Sequence, residues 1–232
     1  MNSPLSYMAL QVGTLYKLDE RGRLLCSNEP GDPPAPRFFL GRTPEGNIWR
    51  VRYDLPDSLA AELERLCRAE PVVAEFSAPP VGYDAIRAVL EEHAPLGDEY
   101  RGPCYRFPDQ LPAPDGRAVA VTADNSDVLL PHFPWLVKAV SHMPIAAALE
   151  DGRAVAACWC SRLAERACEA GVETVPGHQR RGYAAAAVGL WGQLVQASGR
   201  LPLYSTEWGN LASQGVARRL GLIMYGEDFS LG

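Results

Sequence analysis

The chain has 232 residues, 47% hydrophobic and 22% charged, enough for one large core or two small ones, which excludes disorder throughout. Its 28 acidic residues outnumber its 22 basic ones, and the net charge of −6 argues against a nucleic-acid backbone as partner. The longest apolar stretch, residues 183–199, carries two glutamines and three glycines, so no membrane span is expected. Residues 1–16 lack the basic start and apolar run of a signal peptide, and the expected location is the cytoplasm.

Residues 28–36 (NEPGDPPAP) form a loop, and residues 38–52 predict a hairpin around Glu45-Gly46-Asn47. Asp57, following Pro56, opens a helix with Leu59, Leu63, Leu66 and Cys67 on one face. Residues 83–93 predict a second helix, with Ile86, Val89 and Leu90 clustered. Fifteen of the twenty prolines lie at or before Pro114, and no helix or central strand tolerates residues 106–117 (RFPDQLPAPDGR). The boundary therefore falls near 115, giving a domain of residues 1–115 without a chemical motif and a second of residues 116–232.

The second half alternates more regularly. Residues 118–122 read as a strand and residues 134–141 as a helix with Pro134 in its first turn. Residues 145–149 and 154–160 flank the turn Glu150-Asp151-Gly152-Arg153 and predict a hairpin. A strand over residues 167–175 stops at Pro176. After the turn GHQRRG, residues 182–198 form a helix with Ala184, Ala187, Val188, Trp191, Leu194 and Val195 along one face. A strand over residues 203–206, a helix capped by Asn210 and closed by Gly221, and a terminal strand over residues 222–231 complete a mixed sheet flanked by helices.

The cysteines form no CxxC pair and none stands at zinc-finger spacing from a histidine; Cys158 and Cys160 point to one face of a strand as small hydrophobes. His93, His132 and His142 are scattered, and no metal is expected. Trp159, Trp191 and Trp208 read as packing residues rather than a base-stacking platform.

The informative segment is Val175-Pro176-Gly177-His178-Gln179-Arg180-Arg181-Gly182-Tyr183-Ala184. A strand enters a tight turn and then a helix N-terminus, where unpaired N–H groups and the positive end of the dipole meet an anion. Gly182 admits close approach and Arg180 and Arg181 add charge, while His178, in the same turn, reads as solvated or touching the phosphate rather than catalytic. The lysine of a phosphate-binding P-loop is absent, and neither spacing nor position fits a dinucleotide fingerprint.

The string Gln179-Arg180-Arg181-Gly182-Tyr183-Ala184 matches [Q/R]-x-x-G-x-[G/A]. A second block follows in Leu203-Tyr204-Ser205-Thr206, Asn210-Leu211-Ala212-Ser213 and Ala217-Arg218-Arg219-Leu220-Gly221-Leu222. On these two blocks residues 118–232 resemble the GNAT superfamily of N-acetyltransferases. The resemblance implies an α+β fold with a central mostly antiparallel sheet flanked by helices, and the first half, which the resemblance does not cover, is expected to be a second, N-terminal α/β domain. It implies acetyl-CoA (coenzyme A) as cosubstrate, with no metal. Thr174 and Val175 would offer main-chain partners to the pantetheine arm, and the stretch Gln179, Arg180, Arg181, Gly182, Tyr183, Ala184 would hold the pyrophosphate. Asn210 and Ser213 would face the arm and the thioester.

The implied reaction is direct transfer of an acetyl group to the amine of a small molecule or a protein N-terminus. Glu173 is the first candidate for the base, ahead of Glu169 and Glu207. Ala217 stands where many relatives carry the tyrosine that protonates the leaving sulfur, so Ser213 is the expected acid, with Tyr204 and Tyr225 unranked beside it. Alternatives are a non-catalytic acyl-CoA-binding module and a transferase with a longer acyl donor. The acceptor site is expected between the two halves, and a homodimer through the terminal strand fits the family. A further alternative is that the first half is a degenerate copy of the same fold, one without a cofactor, since its string Gly41-Arg42-Thr43-Pro44-Glu45-Gly46 does not match the phosphate motif.

Overall fold

The computed structural model describes residues 3–113 and 115–232, so Pro114, beside the expected boundary, lies outside the described residues. The chain divides into two compact units, Met1–Cys104 with Ser205–Gly209 and Met224–Gly232, and Tyr105–Tyr204 with Asn210–Ile223.

In the first unit, helix α1 (Pro4–Leu15) begins with a reciprocal cap in which the Ser6 amide donates to the Ser3 hydroxyl and the Ser3 amide to that of Ser6. Strands β1 (Tyr16–Leu18) and β2 (Leu24–Ser27) form a small antiparallel pair. The hairpin expected around Glu45-Gly46-Asn47 is β3 (Phe38–Thr43) and β4 (Gly46–Val51). Helices α2 (Asp57–Ala69) and α3 (Tyr83–His93) follow where predicted, and β5 covers Glu99–Arg106. The chain leaves the first unit inside β5, upstream of residue 115.

The second unit contains β6 (Ala118–Ala120), two 3-10 helices (Ala123–Leu129 and Pro134–Ala139), the hairpin β7 (Ala146–Glu150) and β8 (Arg153–Leu163), and β9 (Ala167–Thr174). Helix α4 (Tyr183–Ala197), β10 (Leu201–Ser205) and α5 (Leu211–Arg219) complete it, and β11 (Ile223–Leu231) returns to the first unit. The segment expected as a helix over residues 134–141 is the shorter 3-10 turn.

Strand order in the first unit is β4-β3-β11-β5, and in the second β10-β9-β8-β7-β6. All the pairings given for these sheets are antiparallel except β9 with β10. The terminal strand β11 has β3 on one side and β5 on the other, so both of its edges are paired within the sheet.

Strand β3 is buried along its whole length, because α1 covers one face while Phe38 and Leu40 meet Leu63, Cys67, Ile86 and Leu90 of α2 and α3 on the other. The string Gly41 to Gly46 is thus hairpin, and its Arg42 is an internal cation rather than part of an anion loop. Arg42 donates from Nη2 to Glu227 Oε1 at 2.6 Å and from Nη1 to Glu70 Oε1 at 3.3 Å, all three side chains being 3% exposed or less. Glu227 also accepts from Arg101 Nε at 2.9 Å and Trp208 Nε1 at 2.5 Å. Removing one partner of a buried ion network strands the others. Arg42→Met is therefore expected to cost about 3–5 kcal/mol of unfolding free energy in chemical denaturation, and a loss under about 1 kcal/mol would contradict this.

In the second unit α4 lays Ala186, Ala187, Val188, Trp191 and Val195 on Ala146, Ala148, Val155, Ala156, Cys158 and Cys160 of the sheet. The 3-10 segments cover the opposite face through Leu129, Phe133 and Leu136. Five of the six cysteines are buried free thiols. Burial pushes the Cys158 thiol well up and that of Cys67 up to about 12, which keeps both protonated and inert.

Candidate active site

Strands β9 and β10 start side by side and then part. Their parallel register runs from Leu201 opposite Ala167 to Leu203 opposite Glu169 and stops there. On its other edge β9 stays paired with β8 as far as Thr174 opposite Ala156. Residues 170–174 of β9 therefore keep one edge sealed and the other open. Successive residues point their N–H and C=O groups to alternate edges. The Val175 amide donates to Val155 O at 2.9 Å, toward β8, so Thr174 and Val172 present their main-chain groups to the open edge.

This corrects the role expected for Val175: its N–H is bonded to Val155 and its carbonyl accepts from the His178 amide at 3.0 Å. Val172, with Thr174, is the β9 residue whose main-chain groups face the open edge.

At the end of β9 the backbone turns through three positive-φ residues, Gly177 (86°), Arg180 (59°) and Gly182 (88°), and enters α4. Alternation of right- and left-handed residues gathers successive amides into a concave nest. The N–H groups of residues 179–185 have no backbone or side-chain acceptor among the described residues. The resulting cleft of about 620 Å³ is lined by Val172 and Thr174 from β9, by His178, Gln179, Arg180, Gly182, Tyr183 and Ala184 from the turn, and by Tyr204 and the α5 face from Asn210 to Arg219.

Gly182 is the residue this turn demands. Its φ is one that side-chain-bearing residues adopt at a cost, and a Cβ there would stand 3.0 Å from Arg219 Nη1 and 3.2 Å from Arg117 Nη2. Two guanidinium groups thus converge over its backbone. Arg117 is held in a fork by Asp115, at 3.0 and 2.7 Å, and the Arg117 hydrogen bonds keep that carboxyl down at about 2. Arg219 and Arg180 have no ion-pair or hydrogen-bond partner among the described residues, and both line the cleft.

Arg181 turns away. Its guanidinium pairs with Glu150, which also accepts from the Tyr183 hydroxyl at 2.8 Å and lies 2.8 Å from His178 Nε2. Arg181 therefore contributes its amide and not its charge, and Glu150 anchors the turn to the β7–β8 hairpin. Hydrogen bonds from Tyr183 first and Arg181 second hold the Glu150 carboxyl below its ordinary range. A depressed carboxylate stabilises the folded turn above its unfolded pKa and loses that contribution as pH falls through the depressed value. Anion affinity at this turn is expected to hold constant from pH 8 to 5 and to fall only below about 4, near and under the ordinary carboxylate pKa. Titrations across that range check it, and a loss already complete at pH 6 would contradict it.

On the opposite wall the Asn210 side chain caps α5 by accepting from the Ser213 amide at 3.0 Å. The Ser213 Oγ lies 2.6 Å from the hydroxyl of Tyr204, a buried β10 residue just beyond the point where the strands part. Burial pushes the Tyr204 hydroxyl up to about 12, so it remains a protonated donor at neutral pH. Ala217 is buried in the core between α4 and α5 and does not line the cleft.

Tyr225 hydrogen-bonds Gln11 and Glu207 belongs to the first unit, and neither is among the residues lining the cleft. Glu169 is buried at the last paired position, while Glu173 is exposed. The side chains of Val172 and Thr174 face the cleft and that of Val175 packs against the 3-10 segments, so Glu173 points to this second face.

The cleft thus brings together Thr174, Gln179, Arg180, Gly182, Tyr183, Ala184, Asn210 and Ser213 from the expected set. It also holds Tyr204, one of the acid candidates, and adds Val172 and Arg219, while Glu173 and Val175 lie on the other face. Arg219 is the third member of a helical stripe Ser213, Val216, Arg219, a three-residue spacing that is the sequence signal for it.

No family model matches the chain, and no curated protein does. Solved structures do. A GCN5-related N-acetyltransferase-like protein from Streptococcus suis aligns over 85% of this chain and 85% of its own, at 13% identity and a TM-score of 0.50. The chain has the GNAT fold. A GNAT-family protein from Novosphingobium aromaticivorans is 20% identical over 59% of this chain and 66% of its own, with a TM-score of 0.46. The GNAT acetyltransferase from Colwellia psychrerythraea is 14% identical over 80% and 76%, with a TM-score of 0.45. No helix among the described residues is long and apolar enough to cross a membrane, and no three His, Cys, Asp or Glu among them gather into a metal-ligating group.

Proposed function

We propose that the chain is an acyltransferase that moves an acetyl group from acetyl-CoA to the amine of a small molecule. The single observation that carries this reading is the placement of one cleft between an open strand edge, an amide nest with two unpaired arginines, and a buried tyrosine–serine hydroxyl pair. The residues suit the parts of such a donor in turn. Amides 179–185 with Arg180 and Arg219 suit a pyrophosphate, and the open main chain at Val172 and Thr174 suits the amides of the pantetheine arm.

The amine nitrogen attacks the thioester carbonyl carbon, the carbon–sulfur bond breaks, and the electron pair leaves with sulfur. Main-chain N–H groups at the parted strands stabilise the developing oxyanion. The attacking nitrogen must first be neutral, since a free alkyl amine has a pKa of about 10. Glu173 receives its proton, directly or through one water, and Tyr204, backed by Ser213, donates a proton to the departing thiolate. As the tetrahedral intermediate collapses the nitrogen loses its second proton, which passes through solvent to the tyrosinate left on Tyr204, so the products are an amide, a free thiol and a protonated Glu173.

Thiol release measured with acetyl-CoA and a panel of amines tests the reading. Amine-dependent release is expected, and Glu173→Gln should lower kcat by on the order of 10²-fold. Tight acetyl-CoA binding without release for any amine would overturn the catalytic role. Unchanged kcat in Glu173→Gln would remove that residue from it.

A further inference from the structure

The second face of β8 and β9 carries a feature that acyl donor binding does not use. Trp159 on β8 lies opposite Gly171 on β9, and a Cβ on Gly171 would stand 2.6 Å from Trp159 Cε2 and 2.9 Å from its Nε1. The indole therefore lies across the strand where a side chain is missing. Trp135, from the second 3-10 helix, meets that ring edge-on, with centroids 4.7 Å apart and planes at 86°. A packing residue would be covered, yet Trp135 is 51% exposed. Two positions along β9 from Gly171 stands Glu173, exposed on the same face and without a hydrogen bond or ion pair among the described residues.

Diagonal neighbours on one face of an antiparallel pair are about 7–8 Å apart, within reach of aromatic side chains. Trp159 and Glu173 are such neighbours, since Ala157 faces Glu173 and Trp159 faces Gly171. A half-buried indole diagonal to an unpaired carboxylate, with a second, exposed indole packed against it, is complementary to one kind of molecule: a cation carried on a flat apolar body. A purely polar polyamine would leave the indoles wet, and a neutral aromatic would leave the carboxylate unmatched.

We propose that Trp135, Trp159 and Glu173 form the acceptor site, and that its preferred acceptor is a primary amine borne on an aromatic or similarly flat apolar group. This rests on the acyl-transfer reading above and specifies its substrate class. Glu173 receives the ammonium group while the two indoles hold the ring. The apolar end of the acceptor is thereby fixed to one face of β9, and its nitrogen is directed along the strand toward the open edge.

The test compares 2-phenylethylamine, ethylamine and putrescine as acceptors for acetyl-CoA, alongside tryptophan fluorescence titrations with 2-phenylethylamine alone. Phenylethylamine is expected to show a kcat/KM at least tenfold above the other two, through KM. Trp135→Ala should reduce that ratio about tenfold and Trp135→Phe should restore most of it, a pattern that a merely structural tryptophan would not produce. Equal use of the three amines, or a ratio indifferent to Trp135→Ala, overturns the aromatic-amine site and leaves acyl transfer standing. Saturable quenching by phenylethylamine that Trp135→Ala weakens, with no thiol released from acetyl-CoA, supports the site and overturns acyl transfer. Absence of both quenching and turnover overturns both.

Discussion

Replacing Tyr204 by Phe is expected to lower kcat for acyl transfer by on the order of 10²-fold while acetyl-CoA affinity stays nearly constant. The hydroxyl is buried, and among the described residues its hydrogen-bond partners are the Ser213 side chain, 2.6 Å away, and the Ser213 carbonyl at 3.4 Å. Losing one such hydrogen bond costs about 1 kcal/mol, too little to unfold the unit, so the variant reports on chemistry. Burial raises the Tyr204 pKa to about 12, and the Ser213 hydrogen bond opposes that rise. Ser213→Ala therefore makes the tyrosine a weaker acid without removing it. Its effect should be smaller than that of Tyr204→Phe, and the double variant should be no slower than Tyr204→Phe alone. Single-turnover rates with saturating acetyl-CoA decide this. Equal kcat in wild type and Tyr204→Phe would mean that thiolate leaves without this donor.

The second large effect is expected at the anion nest. Gly182→Trp should abolish measurable acetyl-CoA binding, because the residue adopts φ 88° and its side chain would enter the space held by the Arg219 and Arg117 guanidinium groups. Arg180→Glu and Arg219→Glu should each weaken binding by on the order of tenfold to a hundredfold, since each replaces an unpaired cation facing the cleft with an anion. Binding should also weaken as salt rises, and less steeply in either charge variant. Arg181→Glu is a useful contrast. Its guanidinium is held by Glu150 outside the cleft, so it should act through the loop anchor and change the salt dependence little. Undiminished affinity in Gly182→Trp would remove the nest from the binding site.

Much of the second unit was legible because its signals are local. Proline at 176, glycine at 182 and the three- and four-residue spacing of Ala187, Val188, Trp191 and Val195 locate a strand, a turn and a helix without tertiary information. The first unit was less legible for a physical reason. Its α1 is apolar almost all round and is capped by two serines reaching each other, a pattern with no acidic first turn and weak amphipathy. Its β5 carries Gly102 and Pro103, which read as punctuation. The return of β11 to the first unit depends on long-range pairing that no window of sequence contains.

The site divides the same way. The phosphate-facing turn follows from residues adjacent in sequence, whereas the Tyr204–Ser213 pair and the approach of Arg219 to Gly182 join different elements. Which groups on β9 face the open edge required knowing that the Val175 amide is bonded to Val155, a fact about register.

The central claim is that the gap between β9 and β10 and the turn after β9 bind an acyl-CoA. A crystal structure with coenzyme A tests it most directly. The account predicts the pyrophosphate on the amides of residues 179–185 beside Arg219, the pantetheine arm bonded to the main chain of Val172 and Thr174, and the sulfur within hydrogen-bond reach of the Tyr204 hydroxyl. Coenzyme A bound elsewhere, or a cleft left empty at concentrations that saturate any binding seen by calorimetry, would contradict it.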